Sequence, residues 1–196
     1  MTRYCFLIII LIGAFVQCKP KQQTQTGEVN ADSLQLQLNA LNDSLQISWD
    51  AMINSDNQKI RQMDALLKDL SQTCKYDKST YNQITEEQKM LVAKRYTSPD
   101  VLTNEQIDEY DSATDTLLSN LRTFYKANQI KQCCVTCDSL LSDVENLHGE
   151  VVMYRIRYDN HAKEFNVLIT QQKDVLAQLK PEYRNLKPRQ LFSIMQ

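Results

Sequence analysis

Residues that build tight turns are scarce in this chain, which has three glycines and four prolines among 196 residues. β-Sandwiches and β-barrels need such residues at their many turns, so both fold classes are disfavoured. Two histidines and one tryptophan leave few groups for chemistry. A glycine-rich phosphate loop and the G-x-S-x-G and H-E-x-x-H motifs are also missing. We therefore predict an all-α protein that is not an enzyme, with no catalytic residues, no metal site and no cofactor.

An excess of charge of one sign is missing as well. The chain has 22 lysines and arginines against 24 acidic residues, and its formal net charge is −2 at pH 7. Proteins that bind nucleic acid usually carry a basic patch or stripe. Because both signs are mixed along this chain, we expect no nucleic-acid partner.

The first 18 residues have the features of an export signal. Arg3 precedes an apolar run of 13 residues, 4–16, and Cys18 follows it closely. As a helix this run spans roughly 20 Å, less than the about 30 Å of a bilayer's hydrocarbon core. A lipoprotein signal over residues 1–18 with a lipidated Cys18 is favoured, although Gln17 stands where a small residue is usual. An uncleaved membrane anchor and a plainly cleaved signal stay open as alternatives.

This signal predicts a location and a domain plan. We expect an exported, periplasm-facing protein of the bacterial cell envelope, which contacts membrane lipid through its N-terminal anchor. Residues 19–31 are polar and rich in glutamine, which predicts a flexible spacer. Residues 32–196 are enough for one domain with a buried core.

Apolar residues recur at intervals of three and four along the first part of this domain, which predicts long amphipathic helices. The first helix is expected to begin at a capping Asp32 or Ser33, and Asp56 interrupts its stripe. A break is expected between Thr73 and Lys78, before a second helix that ends near Arg95. The stripe of the first helix consists of Leu34, Leu38, Leu41, Leu45, Trp49, Met52, Ile60, Met63, Leu67, Leu70 and Cys74.

Two more helices are predicted beyond Pro99, which stops regular structure. Thr103 or Asn104 is expected to cap the third helix, and residues 126–131 are interpreted as a connector. Gly149 lies inside the fourth helix, where it suggests a close approach of two helices. The uncharged stripe of the fourth helix consists of Cys137, Leu140, Val144, Leu147, Val151, Tyr154, Tyr158, Ala162, Phe165 and Ile169.

These stripes together predict the fold. Four long amphipathic helices with short connectors favour an elongated antiparallel four-helix bundle. Pro181 ends the last helix, and the apolar residues that follow predict a C-terminal tail docked on the bundle.

Four cysteines of the predicted domain allow several kinds of site. Cys133, Cys134 and Cys137 cluster in sequence, and Cys74 lies at the end of the first stripe. Buried core or incidental thiols are the first interpretation. Disulfides, which are common in exported proteins, are the second. A zinc site completed by His148 or Cys74, and catalytic thiol chemistry at the C-x-x-C, are further alternatives.

Other side chains invite weaker hypotheses. Arg155 lies beside the tyrosines of the fourth helix, and Asp56 is its candidate ion-pair partner. His148 is expected to be a hydrogen-bonded packing residue rather than a ligand. Tyr154, Tyr158 and Phe165 could line a site for a small apolar ligand, although aromatic residues at helical spacing usually form core.

Several blocks of the sequence occur in the order and at the spacing of a known family. Residues 155–166 read R-I-R-Y-D-N-H-A-K-E-F-N and resemble the R-x-x-Y-N-x-x-V-x-x-Y/F-N signature of the LemA family. Residues 187–192 are similar to its closing F-K-P-x-x-Y-F segment. Residues 49–52 and 63–70 are similar to its W-x-x-I/V and L-I-P-N-L-V-x-x-V blocks. The resemblance covers residues 48–192.

This resemblance implies a LemA-like helical bundle attached to a membrane, without an established enzymatic activity. Asp159 and Asp64 stand where the family has asparagine and proline. The resemblance brings no catalytic residues. Its structural signature residues are Trp49, Arg155, Tyr158, Phe165 and Asn166.

The leading hypothesis is a membrane-anchored, non-enzymatic scaffold or partner-binding protein, whose partners are unidentified envelope proteins. The alternative is a metal- or thiol-dependent envelope protein that uses Cys133, Cys134 and Cys137. Whether the protein forms a homo-oligomer stays open.

Overall fold

The computed structural model describes residues 30–192, so the predicted signal, Cys18 and residues 19–29 of the spacer lie outside the described residues. The described part contains helices and no β-strand, which confirms the predicted all-α class. Its α-helices are α1 (Ala31–Thr73), α2 (Lys78–Ala93), α3 (Asn104–Ala127), α4 (Val135–Gln171) and α5 (Lys173–Leu179). Short 3₁₀ turns cover Pro99–Val101, Ile130–Gln132 and Pro181–Asn185.

The two longest helices, α1 and α4, pack side by side in opposite directions. Trp49 contacts Tyr158 with ring centroids 5.9 Å apart. Further along α1, Asp69 accepts a 2.8 Å hydrogen bond from the Thr136 hydroxyl. Residue numbers thus rise along α1 while they fall along α4. With 43 residues, α1 is roughly 65 Å long and sets the length of the domain.

The helices α2 and α3 form a second antiparallel pair. Glu87 of α2 accepts two 2.9 Å bonds from the Asn120 amide of α3. Seven residues later, Lys94 pairs with Glu109 at 2.8 Å. Leucine, isoleucine and aromatic side chains from all four long helices are buried between the pairs. None of the helices between residues 30 and 192 has both the length and the hydropathy required of a membrane span.

Local sequence explains most of the helix boundaries. The break after Thr73 and the start of α2 at Lys78 confirm the predicted interruption. Thr103 caps α3, because its hydroxyl accepts from the backbone N–H of Gln106 while the Gln106 side chain accepts from the N–H of Thr103. The predicted start of α1 was wrong, since Asn30 rather than Asp32 or Ser33 caps the helix and Ala31 is already helical.

Two other predictions about the last helices need correction. The fourth helix is divided at Gln172 into α4 and the short α5, and nothing in the local sequence explains this division. Gly149 is exposed, and a Cβ added there would meet no atom within 4 Å. The predicted close approach of helices at Gly149 is therefore wrong.

Candidate functional site

Charged side chains are buried midway along the bundle, where polar groups are normally rare. Burying a charge is costly unless it is paired and hydrogen-bonded, so each of these groups requires a partner. The buried polar residues of the described chain are Ser48, Ser55, Asp56, Lys59, Gln88, Thr114, Arg155 and Asp159.

Asp56 of α1 is the centre of the first buried network. One carboxylate oxygen, Oδ1, lies 2.7 Å from the Lys59 ammonium and accepts a 2.6 Å bond from the Tyr110 hydroxyl. The other oxygen, Oδ2, accepts a 2.9 Å bond from Nε of Arg95, just beyond α2. The Lys59 residue is 0% exposed. One carboxylate thus ties together α1, the end of α2 and α3.

Electrostatics inside this network favour the ionised carboxylate. Burial raises the pKa of Asp56, but the charge and hydrogen bond of Lys59, with help from Tyr110 and Arg95, outweigh it and place the pKa below its ordinary value. Burial lowers the pKa of Lys59, and the attraction of Asp56 returns only part of this shift. Burial and the neighbouring carboxylate raise the pKa of Tyr110, so its hydroxyl stays a hydrogen-bond donor.

Arg155 of α4 forms the second network. Its Nη1 donates to both carboxylate oxygens of Asp111, at 2.7 and 2.8 Å, and its Nη2 donates to the Tyr96 hydroxyl. The predicted Arg155–Asp56 pair is therefore wrong. The two networks nevertheless adjoin, because the rings of Tyr96 and Tyr110 are 5.3 Å apart. Burial raises the pKa of Tyr96 to about 12, which keeps its phenol neutral.

An aromatic cluster continues from Arg155 toward the C-terminal part of the chain. Phe192 is 4% exposed and stacks on Trp49 with ring centroids 6.3 Å apart. Its ring meets Tyr158 edge-on at 5.5 Å and lies 4.9 Å from the Arg155 guanidinium carbon. Residues far apart in sequence thus surround a single phenylalanine.

The other two signature residues contact the chain just before Phe192. The side-chain amide of Asn166 donates to the carbonyl of Arg189 at 2.9 Å and accepts from its N–H at 2.7 Å. The Phe165 ring lies 5.5 Å from the Arg189 guanidinium carbon. The structure therefore brings all five signature residues to one place, where they contact residues 189–192.

The four cysteines of the described chain lie at the end of the bundle remote from the start of α1. Cys74, just after α1, is bonded to Cys133, and Cys134, the N-cap of α4, is bonded to Cys137. Cys134 and Cys137 are 2% and 0% exposed, so they fill core positions as well as forming a bond. Within residues 30–192, no group of three or more metal-ligating side chains is arranged to hold an ion.

The three aromatic residues proposed to line an apolar ligand site lie in different surroundings within the described chain. Tyr154 lines a surface cavity of about 250 Å³ together with Ser44 and His161. Phe165 lines a different cavity, of about 490 Å³, beside residues 185–190. Tyr158 is 1% exposed, so it is a core residue.

Sequence reasoning identified two of the four buried charged residues, Asp56 and Arg155. Asp56 and Arg155 were noticed because they interrupt or adjoin an apolar stripe. Lys59 was missed because the apolar stripe predicted that Ile60 is the buried residue at this point of α1. In the structure Lys59 is more deeply buried than Ile60. These groups are bonded to one another and shielded from solvent, which suits holding helices in register better than acting on a substrate.

His148 gives the bundle a pH dependence that can be measured. Burial, and then the positive charge of Lys59, lower the pKa of its imidazole below 6.5, although Asp115 opposes this. Below about pH 6.5 the imidazole is therefore protonated more in the unfolded chain than in the folded chain. The free energy of unfolding should fall as the pH drops through this range. For one proton the slope is at most about 1.4 kcal/mol per pH unit.

Urea unfolding between pH 7.5 and 5 tests this expectation. His148→Gln should flatten the slope, and His161→Gln controls for the loss of an imidazole. A His148→Gln variant with the slope of the wild type would contradict the assignment.

Comparisons of this chain with protein-family models, with curated proteins and with solved structures found no match.

Proposed function

We propose that this protein is a LemA-like, lipid-anchored scaffold of the bacterial cell envelope, which acts by binding partner proteins. The observation that carries the proposal is the meeting of Trp49, Arg155, Tyr158, Phe165 and Asn166 around residues 189–192. These residues were selected by their resemblance to one family's signature. Their meeting at one structural junction gives that signature a packing role, as expected of a family without catalytic residues.

The arrangement of helices supports the finer architecture. Both helix pairs are antiparallel and share one core, so we infer an elongated antiparallel four-helix bundle. The helix α1 begins at Ala31, the last residue of the predicted spacer, and runs roughly 65 Å to the disulfides. A protein tethered through Cys18 would present that disulfide end farthest from its point of attachment.

The disulfides also support export. Disulfides persist in oxidising compartments such as the periplasm and are rare in the cytosol.

The alternative function, a thiol-dependent envelope protein, is favoured by one observation. Cys134 and Cys137 form a C-x-x-C disulfide across the N-cap and first turn of α4, and C-x-x-C is the spacing of the cysteines in disulfide oxidoreductases. Their burial speaks against direct reaction with a substrate.

Palmitate labelling in a bacterial host tests the anchor. The wild-type chain should incorporate label, Cys18→Ala should lose it, and Cys5→Ala, which alters a cysteine inside the apolar run, should retain it. Equal labelling of the wild type and Cys18→Ala would refute lipidation.

A pull-down from detergent-solubilised membranes tests the scaffold function. The wild-type chain should recover a reproducible set of envelope proteins that a bait with Cys134→Ala and Cys137→Ala also recovers. Loss of every partner from that variant bait, if the bait remains folded, would favour the thiol-dependent alternative. Recovery of no partner by the wild type would refute the scaffold.

A further inference from the structure

Residues 186–192 lie against α4 in a way that differs from every helix of the bundle. Beyond the 3.5 Å bond from the Leu186 N–H to Tyr183, the described part of this segment makes no backbone–backbone hydrogen bond. Its main chain is instead bound by side chains of α4. Besides the two Asn166 bonds to Arg189, Asp159 accepts a 2.8 Å bond from the N–H of Phe192.

The spacing of these contacts matches an extended peptide. Asp159 and Asn166 are seven residues apart, so they lie about 10.5 Å apart along one face of the helix. Residues 189 and 192 are three apart, and three extended residues span about 10 Å. Side chains that bind main-chain groups at this spacing accept many sequences, whereas side-chain pockets select among them.

An aromatic pocket and an exposed carboxylate provide this selection. The aromatic cluster of Trp49, Tyr96 and Tyr158 encloses Phe192. Three residues earlier, the Arg189 guanidinium pairs with the Asp100 carboxylate. A cavity of about 490 Å³ extends beside this part of the segment. The site therefore combines an aromatic pocket for Phe192, an exposed carboxylate that pairs with Arg189, and main-chain contacts between them.

We propose that the α4 face between Asp159 and Asn166 is a peptide-binding groove, which the chain's own residues 186–192 occupy. Its ligand in trans is an extended segment of a partner protein that carries an arginine three residues before a phenylalanine. This inference rests on the proposed scaffold function and names the contact through which a partner is held. A segment without regular backbone hydrogen bonds detaches at a lower free-energy cost than a helix unfolds. A competing peptide can therefore replace it.

Because the protein's own segment occupies the groove, a partner must compete with it in order to bind. A segment joined by a short linker acts at an effective concentration of about 1 mM, so a free peptide must compete with it. The full chain should therefore bind such a peptide weakly until its own segment is disabled.

Fluorescence anisotropy with a labelled peptide of residues 186–192 tests the groove. Full-length Phe192→Ala should bind this peptide at least tenfold more tightly than the wild type does. A peptide with alanine at its last position should not bind. Adding Asn166→Ala to Phe192→Ala should weaken binding at least tenfold, whereas Asn160→Ala, an exposed asparagine of the same helix, should leave it unchanged. Equal peptide affinity of the wild type and a folded Phe192→Ala variant would overturn the proposal.

A second protein keeps the test decisive if Phe192→Ala does not fold. A protease recognition sequence inserted after the exposed Asn185 allows the segment to be cut from the otherwise complete chain. The labelled peptide should then replace the severed segment on size-exclusion chromatography. A severed segment that neither leaves nor exchanges would refute the groove.

These assays use neither membranes nor partners, so they separate the two proposals. Peptide binding by a protein whose pull-down recovers no partner would support the groove and refute the scaffold. Recovered partners without peptide binding would refute the groove alone.

Discussion

Asp56→Asn should lower the free energy of unfolding by about 3–5 kcal/mol, because it leaves the buried Lys59 ammonium without its counterion. Lys59 is 0% exposed, and its Nζ lies 2.7 Å from the carboxylate that the substitution removes. Asparagine keeps only one acceptor oxygen, so either Arg95 or Tyr110 would also lose its acceptor and face an amide that donates. Urea unfolding at pH 7, followed by circular dichroism, measures the effect.

Glu86→Gln provides a matched control on the surface of α2. Glu86 and Lys89 have the same spacing in sequence and the same 2.7 Å separation, but both side chains are 65% exposed. This change should cost no more than about 1 kcal/mol, because water solvates whichever charge remains. Similar losses for Asp56→Asn and Glu86→Gln would show that burial does not set the strength of the Asp56 network.

A second variant separates the cost of an unpaired charge from the loss of packing. Adding Lys59→Met to Asp56→Asn removes the ammonium and keeps a side chain of similar length. The double variant should be more stable than Asp56→Asn alone, since a buried apolar group needs no counterion. A double variant that is less stable than Asp56→Asn would show that the loss of stability comes from the packing around Lys59.

The disulfide between Cys74 and Cys133 should stabilise the protein more than the one between Cys134 and Cys137. The first closes a loop with a sequence separation of 59 residues, and the second a separation of three. Loop-closure entropy then gives about 4 kcal/mol for the long loop and about 2 kcal/mol for the short one. The long loop contains all of α2 and α3, so its cross-link restricts more of the unfolded chain.

Paired alanine substitutions measure this difference. Cys74→Ala with Cys133→Ala should shift the urea midpoint further than Cys134→Ala with Cys137→Ala does. Alkylation of the unreduced wild type, followed by mass spectrometry, should leave all four cysteines unmodified. An equal shift for the two double variants would contradict the loop-length argument.

The two disulfides and the buried charges stabilise different parts of the bundle. The Cys74–Cys133 disulfide joins the end of α1 to the residues just before α4, and the Cys134–Cys137 disulfide lies within the start of α4. The networks around Asp56 and Arg155 join α1, α3 and α4 near the middle. Beyond them, Asp159 and Asn166 hold the C-terminal segment. A partner that displaced this segment would leave both disulfides and the Asp56 network in place, but it would remove the Phe192 ring from Arg155 and Tyr96.

Periodic patterns of apolar residues determined the class of the fold and most of its boundaries. Stripes of Leu, Ile and aromatic residues predict helices because burying one face of a helix is favourable whatever lies opposite. The breaks near Thr73 and Pro99 and the cap at Thr103 follow from short-range stereochemistry. Each of these features depends on neighbours in the chain, so a single sequence is enough to predict it.

The contacts between helices could not be predicted from neighbouring residues in the sequence. The partner of Arg155 is Asp111 rather than Asp56, because the relative axial positions of α1, α3 and α4 decide which charges meet. The environment of Lys59 has the same origin, since its ammonium lies 5.3 Å from the ring of Tyr110, which belongs to α3. Local sequence thus determined where helices form. Only packing across the bundle decided which side chains are buried together, because the residues that meet, such as Arg155 with Asp111 and Trp49 with Phe192, are 44 and 143 positions apart.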